Sequence, residues 1–309
     1  MGKIILQRLG QALLVVIAVS ILSFLLIFLS GDPVASLIPL NARQEDIDNI
    51  RHQYNLDQPI FIQYFLFLGK AIGGDMGESF RYRTDALTLV LGRFPNTIIL
   101  AIVSMIFSIV ISVPIGILAA RFKGRLFDKL SSFFALLAIS VPSFWLGVIL
   151  ILVFAGNLRW FPASGTGGWQ NFVLPVIALN TFTVGLLVRL TRSSVAESLK
   201  QQYVVTARSK GLTERTIAWG HVLRNSAIPI VTVMGLQFGS LLGGSVVVET
   251  VFAWPGVGWL MVQAIEARDL PVIRAAVLIL AVFIVLINLL VDIIYTMLDP
   301  RIKLGAKTA

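Results

Sequence analysis

The 309-residue chain has no cysteine and only two histidines, His52 and His221. Disulfides are thereby excluded, along with cysteine-ligated zinc and iron–sulfur sites. Charge is scarce too: 13% of residues are charged against 57% hydrophobic, where a soluble domain carries roughly 25% charge. That composition fits lipid as the solvent. There is no Gly-x-x-x-x-Gly-Lys-Ser/Thr loop, so the chain has no P-loop nucleotide site of its own. Internal repeats are missing, and Asp292 is the one acid deep in an apolar run, with no Lys or Arg beside it at that depth. An ion-coupled secondary transporter needs buried ionisable groups and broken helices in repeated halves, which leaves it a remote alternative. A membrane enzyme would need a reacting cluster, and neither histidine has acids around it at membrane depth.

Long apolar runs are abundant. A helix needs about 20 apolar residues to span the bilayer core. Six windows qualify: Leu9–Leu29, Thr97–Ala119, Leu130–Ala155, Phe172–Leu190, Ala227–Val248 and Val272–Met297. The first follows Lys3 and Arg8 as a signal peptide would, but its run exceeds the roughly 7–15 residues of a signal core, so it reads as an uncleaved anchor. Six spans put both termini on one side. With flanking residues counted, that side takes 16 of the 25 Lys and Arg but 4 of the 16 Asp and Glu. The positive-inside rule then makes both termini cytoplasmic. The net charge of +9 is therefore a topology signal, and no nucleic-acid partner is expected.

Between the first two spans lies a long outer segment, residues 31–95. "QEDIDNIRHQYNL" places Ile47, Ile50 and Tyr54 at helical spacing, with acids in its first turn. A second apolar helix follows in "QPIFIQYFLFLGKAI", then the glycine-rich "GGDMGESF" and a short amphipathic stretch, "RYRTDALTLVLGRFPNT". We expect a helical external cap on the membrane surface; a passive lid is the alternative.

Inside the membrane, Gly235, Gly239 and Gly243 recur every four residues on one face of the fifth span. Such a ridge admits a neighbouring helix closely. Packing is the expected role, and lining a pathway together with Gln237 is the alternative. Asn180 and Asn288 are expected to hydrogen-bond between helices. Pro114, Pro142 and Pro175 allow kinks. Asp292 fits a pairing or snorkelling role better than a proton relay.

The longest polar stretch is "YVVTARSKGLTERTIAWGHVLRNSAIP", Tyr203 to Pro229. Val195, Leu199, Tyr203 and Ala207 lie four apart, so a helix is expected from Ser193 to Lys210, ended by Gly211 as a left-handed cap. Thr213 is a candidate N-cap for a second, short helix, with Ile217, Trp219 and Val222 as apolar contacts. A docking element would bury Ile217 and Trp219 in a partner; packing on its own chain and on anionic lipid is the alternative.

This stretch resembles the cytoplasmic coupling loop of permease subunits of binding-protein-dependent ABC importers, in the dipeptide/oligopeptide/nickel subfamily that also includes glutathione systems. The family pattern is Glu-Ala-Ala, three residues, then Gly. Here Val205, Thr206 and Ala207 precede Gly211, so the acid is lost while "TARSKGL" and "HVLRNSAIP" match closely. Further similarities run along the chain in order: "SGDPVASL", "NLDQPIFIQY", "GGDMGESF", "RFPNT", "ISVPSFWLG", "LVRLTRSSVAE", "GGSVVVETVFAWPGVGWLM" and "NLLVDIIYTMLDPRI".

The resemblance implies an all-α polytopic membrane protein with six transmembrane helices in the type I ABC importer permease fold, in the cell inner membrane. Residues 1–95 would form the N-terminal permease region and 96–300 the transmembrane core. Within that core lies the coupling loop 191–226, and 301–309 would be a cytoplasmic tail. The implied function is non-catalytic import of di- or oligopeptides, with glutathione or chelated nickel as alternatives. Implied partners are a second permease, two ATPase subunits and an extracytoplasmic solute-binding protein, besides the lipid bilayer. ATP and Mg would be used by the ATPases, with no cofactor or metal in this chain. Coupling would fall to Thr206, Ala207, Arg208, Lys210, Gly211, Leu212, Glu214, Arg215, Ile217 and Trp219. Contact with the binding protein would fall to Asp75, Glu78, Arg81, Trp254 and Pro255, the last two stiffening the turn after the fifth span.

Overall fold

The computed structural model describes residues 2–29, 43, 45, 51, 52 and 57–298, with side-chain environments for 8–25, 43, 45, 51, 52 and 57–291. The expected helix over Ile47, Ile50 and Tyr54 lies mostly outside the described residues, and the Asp292 side chain lies outside them entirely. The chain divides into two compact units, Met1–Thr97 with Pro255–Leu286 and Ile98–Trp254 with Ile287–Ala309.

In the first unit, α1 (Gly2–Leu29) carries α2 (Ile60–Ile72) against it. The contacts are Ser20 Oγ to the Tyr64 hydroxyl at 2.8 Å and Phe24 edge-on to Tyr64. Both fall inside the first apolar run. The Arg274 guanidinium lies over the rings of Phe24 and Phe67, at 5.4 and 5.0 Å. Phe61, Phe65 and Ile72 of α2 are exposed.

The second span is longer than its apolar window. Helix α3 runs Ala86–Arg121 and absorbs the stretch expected to form a separate amphipathic piece. Asp85 starts it, accepting from the Thr88 N–H and hydroxyl at 2.7 Å each, an end-capping arrangement. These bonds from Thr88 hold the Asp85 carboxyl below its usual range. Pro95 does not end the helix, because Val90, Phe94 and Thr97 stay buried on one stripe and Phe94 meets Phe283 at 4.1 Å.

In the second unit the later part of α3 packs on α6 (Gln170–Ser198). Ser104, Ser108 and Ser112 are fully buried and share a stripe with Gly116. A β-carbon on Gly116 would fall 2.5 Å from Thr191 Cβ, so the small residues are what let the helices meet. Ser108 donates to Asn180 Oδ1 at 2.7 Å, the interhelical bond expected of Asn180. The third span is not continuous: α4 (Leu126–Ser140) and α5 (Ser143–Leu150, continuing π-helically through Asn157) meet at 102°. Pro142 has no N–H to return to Ala138, and the residue before a proline is pushed out of the helical region; Val141 has ψ 123°. Helix α7 (Gln202–Ser209) is followed by α8 (Glu214–Val251), which is π-helical over Ile217–Val222 and straddles Pro229. The turn at 252–256 leads to α9 (Val257–Glu266) and α10 (Leu270–Leu298), which belong to the first unit as far as Leu286 and to the second from Ile287.

Candidate docking element

The chain leaves α6 at Ser198, turns through Leu199–Gln201 and re-enters a helix at Gln202. The single helix expected over Ser193–Lys210 is therefore broken, because Lys200 and Gln201 bond back to Glu197 and Ser198 in tight turns. Its apolar stripe survives the break. Val195, Val204, Ala207, Ile217, Ala218 and Val222 bury one another against Ile117 and Ala120 of α3. The end of α7 is as expected: Gly211 has φ +75°, its N–H bonds the Arg208 carbonyl at 2.9 Å, and the Leu212 N–H bonds the Ala207 carbonyl at 3.2 Å. This paired closure needs a left-handed residue, which glycine supplies without a Cβ penalty. Thr213 caps the start of α8, accepting from the Thr216 N–H at 3.2 Å. This second helix is not short. It continues without interruption into the fifth span, through the π-helical turn at Ile217–Val222 and with Pro229 inside the following α-helical part.

Two expected contacts change role. Ile217 is fully buried in its own chain, so it anchors the element and offers nothing to a partner. Arg208 is already paired: its Nε donates to Glu214 Oε1 at 2.7 Å and its Nη2 to Oε2 at 3.2 Å, closing a fork across the Gly211 turn. The hydrogen bond to Glu214 raises the Arg208 pKa. On the outward side Val205 is 50%, Leu212 38% and Trp219 43% exposed, bordered by exposed Thr206, Lys210 and Arg215. Exposed apolar side chains beside charged ones make this tip the candidate docking face.

One feature of this region escaped the sequence reading. Asp128, nearly buried at the start of α4, accepts a fork from Arg192 of α6, through Nε to Oδ1 and through Nη2 to Oδ2 at 2.9 Å, plus the Gly124 N–H at 2.8 Å. Opposite charges flanking two spans were the available signal.

The other predicted residues scatter. Gly235 and Gly239 pack: a β-carbon would meet Val291 at 2.2 Å and Asn288 at 3.1 Å, whereas Gly243 faces open space. Asn180 is fully buried. Gln237 lines a cavity. In the first unit Asp75, Glu78 and Arg81 are exposed on one loop. That loop is held by the fully buried Asp269, which accepts from the Ser79 hydroxyl and from the Phe80 and Arg81 N–H groups, the latter two at 3.2 Å. Trp254 contradicts its assignment as an external contact. Its side chain is 1% exposed and packs edge-on to Phe172 at 4.7 Å, because Ala253 at φ +45° turns the ring back into the core. The Pro255 carbonyl accepts from Asn96 Nδ2 at 2.8 Å.

Comparison with known proteins agrees with this architecture. Residues 112–304 match the family described as binding-protein-dependent transport system inner membrane component, and residues 1–101 match its N-terminal membrane component. The chain is 40% identical over 300 residues to the glutathione transport system permease protein GsiC of Escherichia coli strain K12, covering 97% of this chain and 98% of that one. The same figures hold for GsiC of Shigella dysenteriae serotype 1. Two inward-facing crystal forms of the MetNI methionine ABC transporter superpose with TM-scores of 0.54 and 0.57 at 18% and 19% identity, each over 68% of this chain and 96% of the other. At that identity the likeness is one of fold. With both halves of its sequence matched and a relative aligned nearly end to end, the chain belongs to the binding-protein-dependent inner membrane components: it is a non-catalytic, multi-pass permease subunit of an ABC importer, whose ATPase is a separate subunit.

Proposed function

We propose that this permease passes glutathione across the inner membrane, paired with a second permease and driven by two ATPase subunits, with a solute-binding protein delivering the substrate. The observation that carries this reading is 40% identity across 97% of the chain to a glutathione permease. It favours glutathione, itself a short peptide, over the di- and oligopeptides that the sequence resemblance put first. The asymmetry of Lys and Arg orients both termini and the Gly211 turn toward the cytoplasm.

In that orientation Val205, Leu212 and Trp219 face the ATPase. ATP binding would close the ATPase pair and carry the two docking elements together; Mg and ATP act there, not in this chain. Rigidity is the requirement for transmitting such a push. The buried cluster around Ile217, the Arg208–Glu214 fork and the closure at Gly211 supply it. At the outer surface the Asp269-held loop bearing Asp75, Glu78 and Arg81, and the turn ending at Pro255, face the binding protein.

Vesicles containing both permeases and both ATPases test this. Glutathione-loaded binding protein should stimulate ATP hydrolysis and glutathione uptake. Uptake of dipeptides with none of glutathione would overturn the substrate assignment, and accumulation without nucleotide would overturn the drive.

A further inference from the structure

The break between α4 and α5 opens onto a cavity of about 390 Å³, large enough for a small ligand, lined among others by Ser140, Pro142, Ser143, Thr183, Gln237 and Ser240. All lie in the second unit, and no charged side chain lines it. By sequence position it sits at mid-membrane. Gln237 lies midway along the Ala227–Val248 run, Thr183 midway along Phe172–Leu190, and Pro142 midway along Leu130–Ala155.

Polar groups at this break lack partners of their own. Thr183 is 3% exposed, and neither its hydroxyl nor the Gln237 amide makes a hydrogen bond among the described residues. The first N–H groups of α5, from Ser143 to Trp145, have no side-chain cap. The last carbonyls of α4 have lost their helical continuation at the 102° bend. Unsatisfied polar groups at membrane depth are costly unless water or a ligand meets them. The electrostatics are also specific. One helix ends at the break with its partial negative pole, and the next begins there with its partial positive pole.

We propose that this break is a transit site for a short peptide, holding its C-terminal carboxylate and its N-terminal ammonium. The carboxylate lies on the α5 N–H groups with the Thr183 hydroxyl and Gln237 amide as further donors, and the ammonium lies on the carbonyls that end α4. The inference rests on the peptide-class reading above and extends it to a place in the pathway. Neutral groups suit transit: N–H and O–H donors meet the carboxylate and carbonyl acceptors meet the ammonium without the tight grip of an Arg or Lys, and a pathway site must also release.

The natural absence of cysteine makes the test clean. In the assembled transporter, without binding protein, Ser240→Cys is labelled with a charged methanethiosulfonate reagent. Labelling is compared with no addition, with millimolar S-methylglutathione (which has no free thiol), and with its glycine amide. S-methylglutathione should slow labelling at least about five-fold, the worth of one hydrogen bond of about 1 kcal/mol. The amide should not, and adding Thr183→Val with Gln237→Leu should abolish the protection. Failure to label in both nucleotide-free and ATP-bound states, equal protection by the amide, or protection surviving the double change would each overturn the site. Protection by alanyl-alanine but not S-methylglutathione would keep the site and overturn the glutathione assignment. ATP-driven glutathione uptake with no protection by either peptide would do the reverse.

Discussion

The turn at Gly211 and the loop at Arg83 are both closed by a residue in the left-handed region, φ +75° and +53°, yet they are fastened and dressed in opposite ways. The Gly211 turn is tied by an exposed ion pair, Arg208–Glu214, and shows Val205, Leu212 and Trp219. The Arg83 loop is tied by the fully buried Asp269 and shows Asp75, Glu78, Arg81 and Arg83. Permanent subunit interfaces are apolar, whereas charge-rich ones favour fast, salt-sensitive encounters. On the proposed function, that contrast suits a resident partner at the Gly211 face and a visiting one at the Arg83 loop.

Breaking the buried fastening should cost most. Asp269→Ala strands the Ser79 hydroxyl and two backbone N–H groups, at about 1–3 kcal/mol for each buried group left unpaired. Proteolysis of the intact protein in detergent should then cut within residues 78–84; an uncut loop would show that Asp269 is not its anchor. On the other face Trp219→Ala should weaken ATPase capture by about 2 kcal/mol, the scale of an aromatic interface anchor, read as lost co-purification at limiting ATPase. Gly211→Val should strain the turn by about 1–2 kcal/mol. It should lower solute moved per ATP hydrolysed while the protein still inserts, with Gly211→Asn milder because asparagine tolerates the left-handed region. Arg208→Ala should cost least, about 0–1 kcal/mol as an exposed pair, visible only as a small shift in thermal melting.

Legibility in the sequence followed the type of cause. Apolar runs revealed the spans because length in lipid is a composition property. Gly211 and Thr213 were readable because caps are local. The run "SKGLT" requires a left-handed residue followed by a hydroxyl, whatever surrounds it. The glycine ridge was half right: Gly235 and Gly239 meet Val291 and Asn288, while Gly243 meets nothing, since periodicity names a face and not how far along it the neighbour reaches. The equivalent ridge Ser104–Ser108–Ser112–Gly116 went unread because serines in an apolar run look like tolerated polarity until a partner helix is seen. Ile217 and Trp254 were misplaced for one reason. A large apolar residue near a turn is equally suited to a partner and to its own core, and only tertiary contacts choose. Asp128–Arg192 joins residues 64 apart in sequence, which no local pattern reports.

The comparison of the two faces reduces to salt. Complexes captured on the assembled transporter should be washed at rising ionic strength, with wild type set beside Leu212→Ser/Trp219→Ser. The ATPase should stay on the wild-type permease at salt concentrations that strip the binding protein, and should leave the double variant at every concentration. Full retention of the ATPase by the double variant, with uptake intact, would contradict it.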